Sequence, residues 1–197
     1  MAIIRSQVKK NTGASWLGIK TGKISKITDL SEKYGWADVF LQVEFDVEGS
    51  DYPRTMKIAG SFDRDASGMI EDCSLLKRLT HFLDALGEMG GINTEGKWEN
   101  EDGTPIADII LHLNKYLGTE LTIYVFRELA KNGMAYTRVH NKVLAVNPKS
   151  EEELEGYIKF LKTKGFIKEA PEGHVNPDTP NAAISTPQVE GLDIASL

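Results

Sequence analysis

Residues 134–144, "MAYTRVHNKVL", place Tyr136, Arg138, His140 and Lys142 on alternate positions. Alternate side chains of an extended strand share a face, so an aromatic ring lines up with three groups that are, or can become, cationic. The preceding run "TELTIYVFRE" (119–128) has the same period, with Leu121, Ile123 and Val125 pointing one way and Thr122, Tyr124 and Phe126 the other. Asn132-Gly133 between the two runs is a strong hairpin signal. With Val139 and Val143 turned to the core, Tyr124 and Phe126 join Tyr136, Arg138, His140 and Lys142 on one outer face. Arg127 sits nearby and Lys131 rides at the tip. Rings interleaved with cations suit a single-stranded nucleic acid: bases stack on the rings for roughly 1–3 kcal/mol each while phosphates follow the charge. The competing reading covers Tyr124 and Phe126 with the C-terminal helix, whose Leu154, Tyr157, Ile158 and Leu161 need a surface to pack on, and leaves the cations as a solvated rim.

Further candidates lie upstream. Lys20, Lys23, Lys26, Arg54 and Lys57 are candidate phosphate contacts, and Trp16, Trp36 and Phe40 candidate stacking platforms. The outer side of "WADVFLQVEFDVE" (36–48) also carries Asp38, Gln42, Glu44, Asp46 and Glu48, and a row of carboxylates repels phosphate. That weighs against Phe40 and Lys57 unless lysines across the sheet neutralise the acids. The same acids could hold Mg²⁺ in a metal-dependent nuclease, but Asp46 stands where the usual lysine, two residues after the acid, is needed. "ENEDGT" (99–104) does not meet the ligand spacing of a calcium loop. His81 and His112 fall inside helices, Cys73 has no convincing His partner, and no glycine-rich loop has phosphate-cradle spacing. No catalytic set, metal or cofactor is implied, and the expectation is a non-enzymatic binding protein.

The elements that must position these residues change period along the chain. "SWLGIKTGKISKIT" (15–28) reads as a long first strand that Gly18 and Gly22 would let bend. A polar loop at 29–35 leads to the strictly alternating run 36–48, and "YPRTMKIAGSFD" (52–63) returns as a third strand. From Asp72, an N-cap candidate, Leu75, Leu76, Leu79, Phe82, Leu83 and Leu86 form a helical stripe that Gly87 stops. A glycine-rich connection (88–105) precedes a short helix at 106–118, with Pro105 near its first turn. After the hairpin, Ser150 caps a helix at 150–165 that opens on glutamates. The expected class is α+β, mainly β with helices: a five-stranded OB-like barrel with a helical insertion (72–118) between its third and fourth strands. The expected domain runs from 14 to 168, after an N-terminal extension (1–13) and before a disordered acidic tail (169–197).

The formal net charge of the 197 residues is −6, which argues against general stickiness toward nucleic acid or anionic membrane. No Lys or Arg follows Lys168, whereas Glu169, Glu172, Asp178, Glu190 and Asp193 do. Residues 1–168 are thus nearly neutral, with 23 basic and 24 acidic groups. The proline-containing tail buries too little to offset its ordering entropy. A single cysteine, no secretory-type apolar leader and no bilayer-length apolar segment give the expectation of a cytoplasmic protein without membrane partners.

The strand–strand–strand–helix–hairpin order, "YVFRE…NGMAYTRVHNKV" and "GKWENEDGTPIADI" together resemble bacteriophage-encoded single-stranded DNA-binding proteins of the OB-fold type over residues 14–146. The resemblance implies coating of transient single-stranded DNA in phage replication, recombination or repair, in the host cytoplasm; the sequence leaves open whether the chain forms a homo-oligomer. It also implies recruitment of replication or recombination proteins by the tail, although this tail has few acids and no terminal aromatic. A protein-interaction or virion-associated module on the same scaffold is the alternative.

Overall fold

The computed structural model describes residues 15–172 together with His174 and Asn176. The N-terminal extension and most of the acidic tail therefore lie outside the described residues. Eight strands and three α-helices follow one another: β1 (Gly18–Asp29), β2 (Val39–Val47), β3 (Arg54–Gly60), α1 (Ser74–Leu86), β4 (Gly91–Ile92), β5 (Trp98–Glu99), α2 (Ile109–Leu113), β6 (Glu120–Leu129), β7 (Ala135–Val139), β8 (Leu144–Ala145) and α3 (Ser150–Thr163). The main sheet is antiparallel, in the order β3-β2-β1-β6-β7, with β8 also on β6. β3 and β7 approach one another without ladder hydrogen bonds, so the sheet is not closed into a barrel.

Alternation in β2 behaves as its period requires: Val39, Leu41, Val43, Phe45 and Val47 are all buried. Opposite them, Met56 and Ile58 of β3 and Ile24 and Ile27 of β1 face the same core. β1 serves two ladders, pairing Gly22 with both Val47 of β2 and Leu121 of β6. Gly22 makes that possible, because a methyl there would come 2.5 Å from Ile123 Cδ1. The expected bend is not at a glycine: the β1–β2 register shifts between Ile24 and Lys26.

Helix α1 buries Leu75, Leu79, Phe82, Leu83 and Leu86 and ends on Gly87, whose φ of 71° is the left-handed cap that glycine tolerates best. Cys73, not Asp72, is its N-cap; Asp72 instead pairs with Lys77 at 2.9 Å. The second helix is shorter than its apolar pattern, because Asp108 caps it by accepting from the Leu111 N–H at 2.9 Å and a 3₁₀ turn ends it. Pro105 bridges to Glu99 rather than opening that helix, and β4 and β5 form a small hairpin inside the 88–105 connection. Ser150 does not cap α3 from outside. It is buried as the first helical residue, its hydroxyl donating to the Ala145 carbonyl at 2.6 Å and accepting from the Asn147 N–H.

The hairpin register is the one that alternation requires: Phe126 stands opposite Arg138 and Glu128 opposite Tyr136. Gly133, with φ 76°, closes a tight loop in which the Ala130 and Met134 backbones bond. Beyond Val139 the alternation breaks. His140 N–H still reaches the Tyr124 carbonyl, but β8 resumes two residues out of step, with Leu144 opposite Thr122. After α3 the chain returns along β6: Leu129 N–H donates to the Lys168 carbonyl and Ala170 N–H to that of Arg127. Glu169 and Ala170, expected to open a disordered tail, thus continue β1's line on the same edge of β6.

Candidate nucleic-acid interface

The hairpin face divides in two. Tyr124 and Phe126, 7% and 9% exposed, stack on each other with centroids 5.6 Å apart and form a second small core with Leu154 and Ile158 of α3. They are not open stacking platforms. The Tyr124 hydroxyl donates to the Glu169 carboxylate, and Lys162 of α3 lies 5.2 Å from the Tyr124 ring centre. The physical reason is the competing demand noted above: α3 needed an apolar surface, and these rings supply it.

His140 lies behind the same cover, edge-on to Tyr157 at 5.9 Å, its Nδ1 accepting from the Lys142 N–H. Burial, with His81 as a like-charged neighbour, pushes His140 down to about 4, so it is neutral near pH 7 and no phosphate ligand. Lys142 is drawn to α3 as well, 3.8 Å from Glu153 and only 19% exposed. Arg127 pairs with Thr137 on the face opposite Phe126 and donates to the His174 carbonyl at 3.0 Å. What stays open is the hairpin tip: Lys131, Tyr136 at 41% exposure, and Arg138, whose charge is met by Glu128. Glu128, opposite Tyr136, removes the net positive charge that the face was expected to carry.

Upstream, Lys20 sits opposite buried Ile123, on the inner side of the sheet, and is half-buried. Arg54 is opposite Phe45 and lies 3.7 Å over the Trp16 ring, which removes both residues from an outer groove. Lys23 is exposed but stands between Asp46 and Glu120.

The outer face of β1–β3 is better furnished than its sequence suggested. Register places Lys26 opposite Glu44, Lys23 opposite Asp46 and Lys57 opposite Gln42, so two of the acids in this row stand across the sheet from lysines. Asp38 leaves the row altogether, accepting from the Phe62 N–H at 2.8 Å. At the end of this face three rings gather. Tyr34, half-buried, and Phe40, buried at 7% exposure and so no open platform itself, stack with centroids 4.7 Å apart, and Trp36, 60% exposed, tilts 6.1 Å from Phe40. Lys57 lies 5.9 Å from the Phe40 ring centre and Lys33 5.8 Å from that of Tyr34. The 30–38 loop holds them in place: the Ser31 hydroxyl accepts from the Phe40 N–H and donates to Asp29, and the Ser61 hydroxyl donates to the Trp36 carbonyl at 2.6 Å. Tyr34 and Lys33 escaped the sequence reading, although aromatics at 34, 36 and 40 beside lysines were its visible trace.

The other charged centre is structural. Glu88, at the end of α1, accepts from Lys115 (2.7 Å), Tyr116 and His112 (2.9 Å each) and the Gly90 N–H. Burial alone would raise its carboxyl, but these four donors outweigh burial and hold it down at about 2. Among the described residues no three His, Cys, Asp or Glu side chains gather as a metal site, and no helix is long and apolar enough to cross a membrane. No protein-family model matches the chain, and no curated protein matches it in sequence.

Proposed function

We propose that the chain is a non-enzymatic single-stranded DNA-binding protein on an OB-like sheet, with its binding surface on the outer face of β1–β3 rather than on the hairpin. One observation carries the reading. A largely exposed Trp36 stands beside a half-buried Tyr34, both resting on a buried Phe40 at the end of the sheet face, with Lys33 beside the Tyr34 ring and Lys57 beside that of Phe40. Bases have a π-face for such rings whatever their sequence, and lysine takes the neighbouring phosphate. The strand order, with β1 shared between two ladders and a helix before the hairpin, supports the OB-like architecture. Coating of transient strands in phage replication and recombination, and recruitment of partner proteins by the acidic tail, are what the family resemblance adds.

Titration of the full chain against a labelled oligothymidylate tests the reading. Trp36→Ala weakens binding about tenfold or more, as loss of one stacked base requires, and a matched duplex competes poorly. Absence of binding by the unaltered chain at low salt would sink it.

The cover that α3 lays over Tyr124 and Phe126 favours a second reading, a protein-interaction module on the same scaffold. In that case Trp36→Ala impairs capture of a protein partner, while no oligonucleotide is bound.

A further inference from the structure

Helix α3 changes character along its exposed side. Its first turns carry Glu151, Glu152, Glu153 and Glu155; its last turn and the residues beyond read "KFLKTKGFIK" (159–168). Phe160 and Phe166 stand in this stretch 53% and 73% exposed. These two rings stand six residues apart among lysines, and the chain around Phe166 is held in place. Gly165, with φ 72°, ends the helix, and the Phe166 N–H donates to the Leu161 carbonyl at 2.9 Å. The next residue, Ile167, packs into the small core under α3, and the Lys168 carbonyl is bound to β6. Phe166 is therefore pinned on both sides with its ring turned outward. Lys164 lies 5.9 Å from the Phe160 ring centre.

Positive residues at a helix C-terminus have an ordinary use, which is to meet the half-charge of the helix dipole. Four lysines in ten residues exceed that need. Lys162 is spent on Glu169 at 3.0 Å, while Lys159, Lys164 and Lys168 are exposed and make no ion pair with a described residue. α3 lies on the outer face of the sheet, over Ile19, Tyr124 and Leu144, the same face that carries the Trp36 cluster farther along.

We infer that the C-terminal end of α3 is a second binding site for single-stranded nucleic acid, with bases stacked on Phe160 and Phe166 and phosphates on Lys164 and Lys168. It rests on the reading of the protein as a strand binder and adds a place where a longer strand is gripped. Charge complementarity selects the occupant: the outward rings suit bases, and the exposed lysines, which make no ion pair among the described residues, suit a polyanion. The acidic first turns of α3 confine the contact to the helix end.

The test uses the full chain and labelled oligothymidylates from about 6 to about 30 nucleotides, lengths that span one to several sites. Two variants are compared, Phe160→Ala with Phe166→Ala, and Lys164→Ala with Lys168→Ala. All four side chains are exposed, and an unchanged thermal midpoint verifies folding. Both variants weaken binding of the longer strands, the phenylalanine pair by about tenfold per ring removed, while only the lysine pair makes the salt dependence shallower. If the unaltered chain binds no oligonucleotide, the strand reading fails and this site fails with it. If it binds but the phenylalanine pair changes nothing at any length, the α3 site alone is overturned. Loss of binding to phosphatidylglycerol vesicles, with strand binding intact, overturns it equally and assigns the patch to an anionic lipid surface.

Discussion

The Tyr124 hydroxyl donates to the Glu169 carboxylate, so a ring from the middle of the hairpin is fastened by a residue that follows the last helix. This tie and α3 together turn a face that looks like a strand-binding surface into a piece of core. Tyr124→Phe is expected to cost about 1 kcal/mol of stability for the lost bond, and Phe126→Ala about 3 kcal/mol for the cavity, both read from urea unfolding. Neither should change oligonucleotide affinity in the folded protein. An affinity loss without a stability loss would return the hairpin to the binding surface.

Salt dependence follows from how few cations stand near the candidate rings. Lys33 and Lys57 flank the Tyr34–Phe40 pair, Lys164 lies by the Phe160 ring, and Lys168 is exposed two residues after Phe166. Two to four phosphate contacts give a slope of log K against log salt of about −1.5 to −3 for a single strand. A slope beyond about −5 would mean that the lysine-poor faces described here are not where the strand lies.

How much of this could be read from the sequence differs between elements. Period-2 runs fixed β2 and the hairpin register, because every second residue from Val39 to Val47 had to be buried together. Alternation says which side chains share a face, not what covers that face, so Tyr124 and Phe126 fitted an open surface and a covered one alike. The outer face of β2 misled for a different reason. Glu44 and Asp46 are visible in the sequence, but the lysines opposite them belong to β1, some twenty positions earlier, and only the ladder joins them. Asp38 fits the alternation and yet is used up on the Phe62 backbone. Tyr34 and Trp36 sit in a loop, where no period marks them.

Acid stability should carry the mark of His140. Its pKa is about 4 in the folded chain and about 6.5 when unfolded. The unfolded chain therefore takes up a proton first as pH falls. Stability is complete above about pH 6.5 and is lost progressively toward pH 4, by roughly 2–3 kcal/mol in all. His81, Lys142 and Asp84 share that neighbourhood, and His81 is displaced in the same direction. His140→Asn keeps an acceptor for the Lys142 N–H and cannot titrate, so its stability should fall less between pH 6.5 and 4.5. Parallel curves for the two proteins in chemical denaturation across that range would refute the assignment.

Glu88 governs a lower window. Its carboxyl at about 2, against 4.5 in the ordinary state, contributes stability that is present above pH 4.5 and lost as pH falls toward 2. Glu88→Gln removes the acceptor charge for Lys115, His112 and Tyr116 at once, and about 2–3 kcal/mol of stability should go with it. The calorimetric midpoint should drop by several degrees while oligonucleotide binding holds, since Glu88 and its partners Lys115, Tyr116, His112 and Gly90 include none of the Trp36 cluster.

The pairing of Lys168 and Ala170 with β6 has a consequence for anyone shortening the protein. A chain cut after Gly165 leaves the Leu129 N–H and Arg127 carbonyl bare along a hydrophobic strand. Such an uncovered border is a template for another molecule's strand, so the trimmed protein should self-associate through its hairpins, and a trim intended to remove an idle appendage would create an oligomer.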